Sequence, residues 1–142
     1  MSRNTIQEYT QILEHTNRLA LATAIDQVPN VRIVNFVYDA SRPGILYFTS
    51  DRDNRKVTEF TLNNQVAFTV IPEQGIAHIR SSQAVVRKSD LTLGEIKELF
   101  IAKVPGYDET LKAIGEMLEV FEIQMKEATV VTGFDEPAVV HF

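Results

Sequence analysis

The chain has 142 residues, of which 44% are hydrophobic and 23% charged, values ordinary for one globular domain that buries roughly two-thirds of its unfolded surface. Its formal net charge of −5 argues against nonspecific binding to nucleic acid or to an anionic membrane surface. Cysteine is absent, which excludes disulfides, thiolate nucleophiles, Cys–zinc sites and iron–sulfur clusters.

The N-terminal segment MSRNTIQEYTQILEH predicts a helix over about residues 4–15. Ile6, Tyr9 and Leu13 recur at helical spacing, and Thr5 with Glu8 fits a capping box. The segment lacks the apolar core of a signal peptide, and no apolar run in the sequence has the length of a membrane span. We therefore expect a cytoplasmic protein with a single domain over residues 1–142.

Strand patterns follow this helix. RLALATAI alternates large residues with alanines, which is typical of a strand whose alanine face is closely approached by another sheet or a flat ligand. DQVPN is typical of a turn, and VRIVNFVYD predicts a strand that places Arg32, Val34, Phe36 and Tyr38 on one face. ILYFTS, QVAFTVI and IAHIRSSQAVVRK predict three further strands, and RKVTEFTL predicts a short helix that ends near a left-handed Asn63.

The C-terminal third changes character. Thr92 and Glu95 fit a capping box that opens a helical pair over about residues 92–118, which we expect to cover one barrel end and to shape a substrate pocket. EVFEIQMKEATVVT and PAVVHF then return to strand patterns. Short consecutive strands joined by tight turns favour a mainly β fold, an antiparallel barrel or sandwich, over a doubly wound parallel sheet.

Three cations indicate an anion site. Arg55 and Lys56 open a helix, where the dipole disfavours cations by roughly 0.3–1 kcal/mol each. Arg32 lies among apolar residues in a strand, and the hydroxyls of Thr49 and Ser50 end the next one. If these groups converge, they suit a phosphate dianion. The alternatives are that Arg55 and Lys56 extend into water and that Arg32 faces solvent on an edge strand.

Four segments, in this order and spacing, resemble the FMN-binding split barrel of pyridoxamine 5′-phosphate oxidase and its small relatives. These segments are NVRIVNFVYD, ILYFTSDRDNRKVTEF, QVAFTVI and IAHIRSSQAVVR. The resemblance covers about residues 18–88 and extends to the C-terminal third only in general layout. It implies a six- to seven-stranded antiparallel split β-barrel with flanking helices and a homodimer that holds FMN at the subunit interface.

The resemblance also implies roles for particular residues. Arg32 would reach the FMN phosphate, and Arg55 and Lys56 would clamp it. The isoalloxazine ring and the ribityl chain would be lined by Ile33, Val34, Asn35, Phe48, Thr49 and Ser50.

Several positions depart from the oxidase pattern. Val37 stands where the oxidase has a basic residue, a flavin-contacting glutamine falls near Ala77, and Ser82 replaces a glycine. The aromatic and arginine segment that holds the pyridoxal substrate has no counterpart in GFDEPAVVHF. Pyridoxine-phosphate oxidase activity is therefore not expected, and these positions leave the retention of FMN open.

No motif for a hydrolase, a nucleophilic serine, a phosphate-binding loop or a metal site is present, so catalytic residues stay unassigned. The leading hypothesis is an FMN-dependent oxidoreductase of unknown substrate, with NADH or NADPH as candidate electron donor. The alternatives are a non-catalytic module that binds flavin or deazaflavin, or haem through His78 or His141, and a degenerate barrel without cofactor.

Overall fold

The computed structural model describes residues 3–142, where one antiparallel sheet is flanked by helices. The strands are β1 (Arg18–Ile25), β2 (Val28–Asn35), β3 (Val37–Tyr38), β4 (Ile45–Asp51), β5 (Gln65–Val70), β6 (His78–Lys88), β7 (Leu118–Met125), β8 (Glu127–Val131) and β9 (Ala138–His141). The helices are α1 (Thr5–Glu14), α2 (Arg55–Leu62), α3 (Leu93–Lys103) and α4 (Tyr107–Ile114), the last followed by a 3₁₀ turn at Gly115–Met117.

Seven strands form a continuous path in the order β2-β1-β5-β6-β7-β4-β3, and β8 extends from β6 and carries β9. The path curls until Cα atoms of β2 and β4 come within 8 Å of each other. No ladder joins these two strands within residues 3–142, and we call the gap between them the seam. The open, curled sheet confirms the predicted mainly β fold, an antiparallel split barrel of six to seven strands.

The β1–β2 hairpin is tighter than DQVPN suggested. Asp26 and Gln27 alone form the turn, with φ of 49° and 68°, and pairing runs without interruption from Ile25 opposite Val28 onwards. Two residues of positive φ give the turn whose twist matches that of a hairpin. Pro29 therefore belongs to β2 instead of the turn, which an edge strand tolerates because one side of its backbone needs no partner.

The second predicted strand is divided at Phe36. The Phe36 N–H donates to the Asn17 carbonyl at 3.0 Å, and after this residue the chain leaves β1 and pairs with β4 as β3. Phe36 and Val34 lie on the same face, as predicted, and the structure shows that this face is buried. Because the chain crosses here from one free edge to the other, the break closes one end of the seam.

Capping differs from the predictions at two helices. Asn4, not Thr5, caps α1, with its side chain accepting from the Gln7 N–H at 3.1 Å. The predicted range of α2 is confirmed, but Asn63 has φ of −146° and is extended, not left-handed. The Thr92–Glu95 capping box of α3 is confirmed.

The core divides into two clusters. The inner face of the sheet holds the larger one, built from aromatic and aliphatic residues that include Phe48, Phe68 and Ile123. The smaller cluster lies between the helical pair and the outer face of β3, β4 and β7, where Phe100 packs with Tyr47. The helical pair thus covers an outer face of the sheet instead of a barrel end, and it ends before Leu118, which already belongs to β7.

The last long strand pattern is interrupted at Lys126, which separates β7 from β8. β7 pairs with β4 and β6, whereas β8 turns to the other half of β6 and to β9. Among residues 3–142 no helix combines the length and the apolar character of a membrane span.

Candidate functional site

The predicted site residues lie on both sides of the seam. Arg32, Ile33, Val34 and Asn35 occupy β2, and residues 48–50 occupy β4. Helix α2 follows β4 and begins with Arg55. Within residues 3–142, β2 has a free edge, and β4 is unpaired on its seam side after Tyr47, where its pairing with β3 ends. An inserted flat group could therefore meet unpaired backbone on each side.

Arg32 points to the inner face and is held by the chain itself. Its Nη2 donates to Oε2 of Glu59 at 2.7 Å, and its Nη1 donates to the Thr23 hydroxyl at 2.9 Å and to the Leu21 carbonyl at 3.3 Å. The side chain is 21% exposed. Arg32 is therefore a paired cation and not a solvated edge residue.

Glu59 is the site residue that the sequence interpretation missed. Its carboxylate accepts from Thr23 and from Asn30 as well as from Arg32, and it lies 3.3 Å from Nε of Arg55. The hydrogen bond from Thr23 is the main reason why the pKa of Glu59 falls to about 2, against the opposing effect of burial. Its four-residue spacing from Arg55 is the one signal in the sequence that could have indicated it.

Lys56 and Arg55 differ in setting. The Arg55 side chain is 88% exposed, whereas Lys56 is partly buried. Burial lowers the pKa of Lys56, and the charge of Arg32 lowers it further, with Asp51 acting in the opposite direction. Arg32 pairs with Glu59 at 2.7 Å, and Lys56 precedes Glu59 by three residues on α2, so both cations lie on the same side of this helix, an arrangement that suits an anion.

The first turn of α2 offers fewer free amides than expected. The side chain of Asn54 accepts from the Lys56 N–H at 3.0 Å, and its carbonyl accepts from the Val57 N–H at 3.0 Å. An anion at this helix would therefore depend mainly on side chains, because the cap already uses these N–H groups.

The β4 residues face different environments. Phe48 is fully buried in the inner core, where it stacks on Phe121. Thr49 faces the helical pair and shares a hydrogen bond with the Tyr107 hydroxyl. Ser50 is buried on the inward side and donates to the Asp51 carbonyl at 3.2 Å.

The outer face of β2 is apolar and open. Ile33 is 60% exposed and Val31 63%, and Asn35 lies on the same face, whereas Val34 points into the core. The alanines of β1 adjoin this face, with Ala20, Ala22 and Val31 lining a shallow cavity together with residues of β5 and β6. The alanine face of β1, which the sequence predicts to be closely approached by another sheet or a flat ligand, thus lies beside an exposed apolar edge strand.

Of the three positions that depart from the oxidase, Ser82 lines this same shallow cavity, and the other two lie elsewhere. Val37 is buried in the cluster under the helical pair. Ala77 lines a separate cavity of about 560 Å³ beside α1.

The two histidines named as candidate haem ligands contact the chain itself. Nδ1 of His78 lies 2.6 Å from the Ile76 carbonyl oxygen, and Nδ1 of His141 lies 3.6 Å from Glu127.

The cluster around α2 carries three cations, Arg32, Arg55 and Lys56, against two carboxylates, Glu59 and Asp51. A guanidinium has five N–H donors, and Arg32 uses three of them in hydrogen bonds within residues 3–142. The surplus charge and the remaining donors fit one phosphate group at the end of the seam.

Comparison with known proteins places the chain in a family. The pyridoxamine 5′-phosphate oxidase-like family model matches residues 12–136, so the chain belongs to this family, as the resemblance implied. Comparison with curated proteins gives no match.

Solved structures share the fold at low sequence identity. A haem-binding protein from Mycobacterium smegmatis has a TM-score of 0.79 at 12% identity, with 99% of this chain covering 59% of that protein. A NimC/NimA family protein from Clostridium acetobutylicum has a TM-score of 0.67 at 22% identity, and the match covers 97% of this chain and 92% of that protein. An FAD-binding protein from Mesorhizobium loti has a TM-score of 0.62 at 18% identity, and the match covers 86% of this chain and 90% of that protein.

Proposed function

We propose that the protein binds FMN in the seam between β2 and β4 and uses it as an oxidoreductase. The observation that carries the proposal is the contact of Arg32 on β2 with Glu59 on α2, which brings Arg32 to the helix that also carries Arg55 and Lys56. Membership of the oxidase-like family supports it, and so does the FAD-binding neighbour.

In this proposal each side of the seam has a separate task. Arg32 and Lys56 hold the phosphate, with Arg55 adding charge at the exposed rim. The edge of β2 at Ile33, Val34 and Asn35 lines the ring, and Ser50 lines the ribityl chain. Phe48 acts indirectly, because it fixes β4 against the inner core.

Bound FMN would supply the electron and hydride transfer. The protein then needs only to orient the ring and to exclude water, which agrees with a site whose ionisable groups gather at the phosphate end. NADH or NADPH is the candidate reductant, and the oxidised substrate stays open.

We also propose a homodimer that closes the seam. Val31 and Ile33 form an exposed apolar strip on an edge strand, next to the alanine face of β1, and a surface of this kind favours burial against a partner. A second copy would cover it through an interface of about 2,000 Å² or more. Light scattering should give a dimer for the wild type and a monomer for Ile33→Asp, and a monomeric wild type would contradict the proposal.

The absorbance spectrum of the purified protein, with FMN or haem added, tests the cofactor. We expect the two visible bands of a flavin, and their bleaching by NADPH or NADH would support the oxidoreductase. A Soret band would favour the haem alternative, and a featureless protein that titrates with neither cofactor would support a barrel without ligand.

A further inference from the structure

Several donors of the predicted phosphate site are already used within the protein. Three N–H groups of Arg32 are hydrogen bonded, and the amide of Lys56 donates to Asn54. The hydroxyl of Thr49 is shared with Tyr107, and that of Ser50 donates to Asp51. A phosphate entering this site would therefore depend on the Lys56 ammonium, the two remaining N–H groups of Arg32 and the exposed guanidinium of Arg55.

Glu59 is the largest competitor for these donors. It is a buried carboxylate between the two guanidiniums, at 2.7 Å from Arg32 and 3.3 Å from Arg55. Two further donors, Thr23 and Asn30, fix it in place. A dianion bound to Arg32 would lie beside this negative charge, and in a partly buried site their repulsion is screened only in part.

We infer that Glu59 is a specificity-determining residue that weakens the hold of the site on phosphate, so that flavins with and without a phosphate compete for it. The inference rests on the proposed flavin function. It means that Arg32 is partly neutralised in advance and that Lys56 carries most of the remaining attraction. FMN is then an exchangeable ligand.

The test compares FMN with riboflavin, which lacks the phosphate, in three proteins. Wild type, Glu59→Gln and Glu122→Gln are titrated with each flavin by quenching of flavin fluorescence. Glu122 is the matched control because it is also a buried carboxylate, paired with Arg87 at 2.7 Å and away from the seam. Thermal unfolding of each variant establishes that it is folded.

We expect the wild type to prefer FMN over riboflavin by about tenfold or less. Glu59→Gln should raise this preference by a further tenfold or more, because a single charge close to a phosphate has an effect of this size at the dielectric of a partly buried site. Riboflavin affinity should stay the same, and Glu122→Gln should retain the wild-type ratio.

The outcomes separate this inference from the proposed function. Failure of the wild type to bind either flavin would overturn the proposed function itself. Flavin binding in which Glu59→Gln lowers the preference for FMN would show that Glu59 orients Arg32 for the phosphate, and an unchanged ratio would show that it has no part in selectivity; either result overturns the inference. Should Glu59→Gln fail to fold, a wild-type preference for FMN above about a thousandfold would overturn it instead.

Discussion

Two carboxylates are buried among residues 3–142, one in the candidate site and one outside it, and their surroundings differ in one respect. Glu59 accepts from Arg32 and Thr23, and Glu122 accepts from Arg87 and Ser89. Both are almost fully buried. In each case hydrogen bonds outweigh burial and lower the pKa of the carboxyl. Local pairing alone therefore does not distinguish them.

The difference lies in the number of cations. Arg87 pairs with Glu122 and also lies 3.2 Å from Asp90, and the charges of Glu122 and Asp39 act on Arg42, so two cations face three carboxylates there. Around Glu59, in contrast, three cations face two carboxylates, Glu59 and Asp51. The cations are Arg32, Arg55 and the partly buried Lys56. Charge surplus in a partly enclosed place, and not a buried ion pair as such, is what indicates anion binding.

The largest expected effect concerns folding. Glu59→Ala leaves Arg32, only 21% exposed, without its counter-ion, and should lower the free energy of unfolding by about 3 kcal/mol. Glu122→Ala should cost less, about 1–2 kcal/mol, because Arg87 is 48% exposed and can turn to water. Urea unfolding measures both. Equal losses would mean that the two pairs are equivalent and that the exposure of the cation is irrelevant.

Acid should diminish the contribution of Glu59. Its pKa in the folded state is about 2, below the ordinary 4.5, so the stabilisation is complete above pH 4.5 and is lost as the pH falls towards 2. The stability difference between wild type and Glu59→Gln should therefore shrink across this interval. A difference that stays constant from pH 4.5 to 2 would mean that the carboxylate contributes by packing and not by charge.

The loss of FMN affinity should be larger when Lys56 is replaced than when Arg55 is replaced. Lys56→Ala removes a partly buried cation beside Arg32 and should weaken FMN binding by about 1.5 kcal/mol, roughly tenfold. Arg55→Ala should cost about 0.5 kcal/mol, because its side chain is 88% exposed and screened by water. Riboflavin should bind both variants like the wild type. Equal losses for FMN and riboflavin would show that Lys56 acts through structure and would contradict the phosphate assignment.

The sequence predicted what depends on local pattern. The range of α2, the capping box at Thr92 and the shared face of Val34 and Phe36 follow from periodicity and capping chemistry, and all are present. The residues alone also led us to expect that Arg32 lies close to Arg55 and Lys56, and the resemblance added the split-barrel fold.

What could not be predicted depends on packing between distant elements. Glu59 contacts Arg32 only because α2 packs against the β1–β2 hairpin, where Glu59 accepts from Thr23 of β1 and from Arg32 of β2. No residue spacing in the sequence predicts this packing. The apolar stripe of the helical pair likewise predicts that the pair packs against the sheet, but it does not predict which face of the sheet the pair covers. The break at Phe36 depends on a hydrogen bond to Asn17, in the segment that precedes β1.

The smallest effect should come from the contact between the helical pair and β4. Tyr107→Phe removes the hydrogen bond with Thr49 and should lower the free energy of unfolding by about 1 kcal/mol, the usual value for one such bond. Because Thr49 faces the helices and Ser50 faces inward, FMN affinity should stay within about twofold of the wild type. Thr49→Val serves as the matched control, since it removes the same hydrogen bond from the other side. If either change alters FMN affinity tenfold or more, the Thr49 hydroxyl reaches the flavin, and the helical pair belongs to the site and not only to the fold.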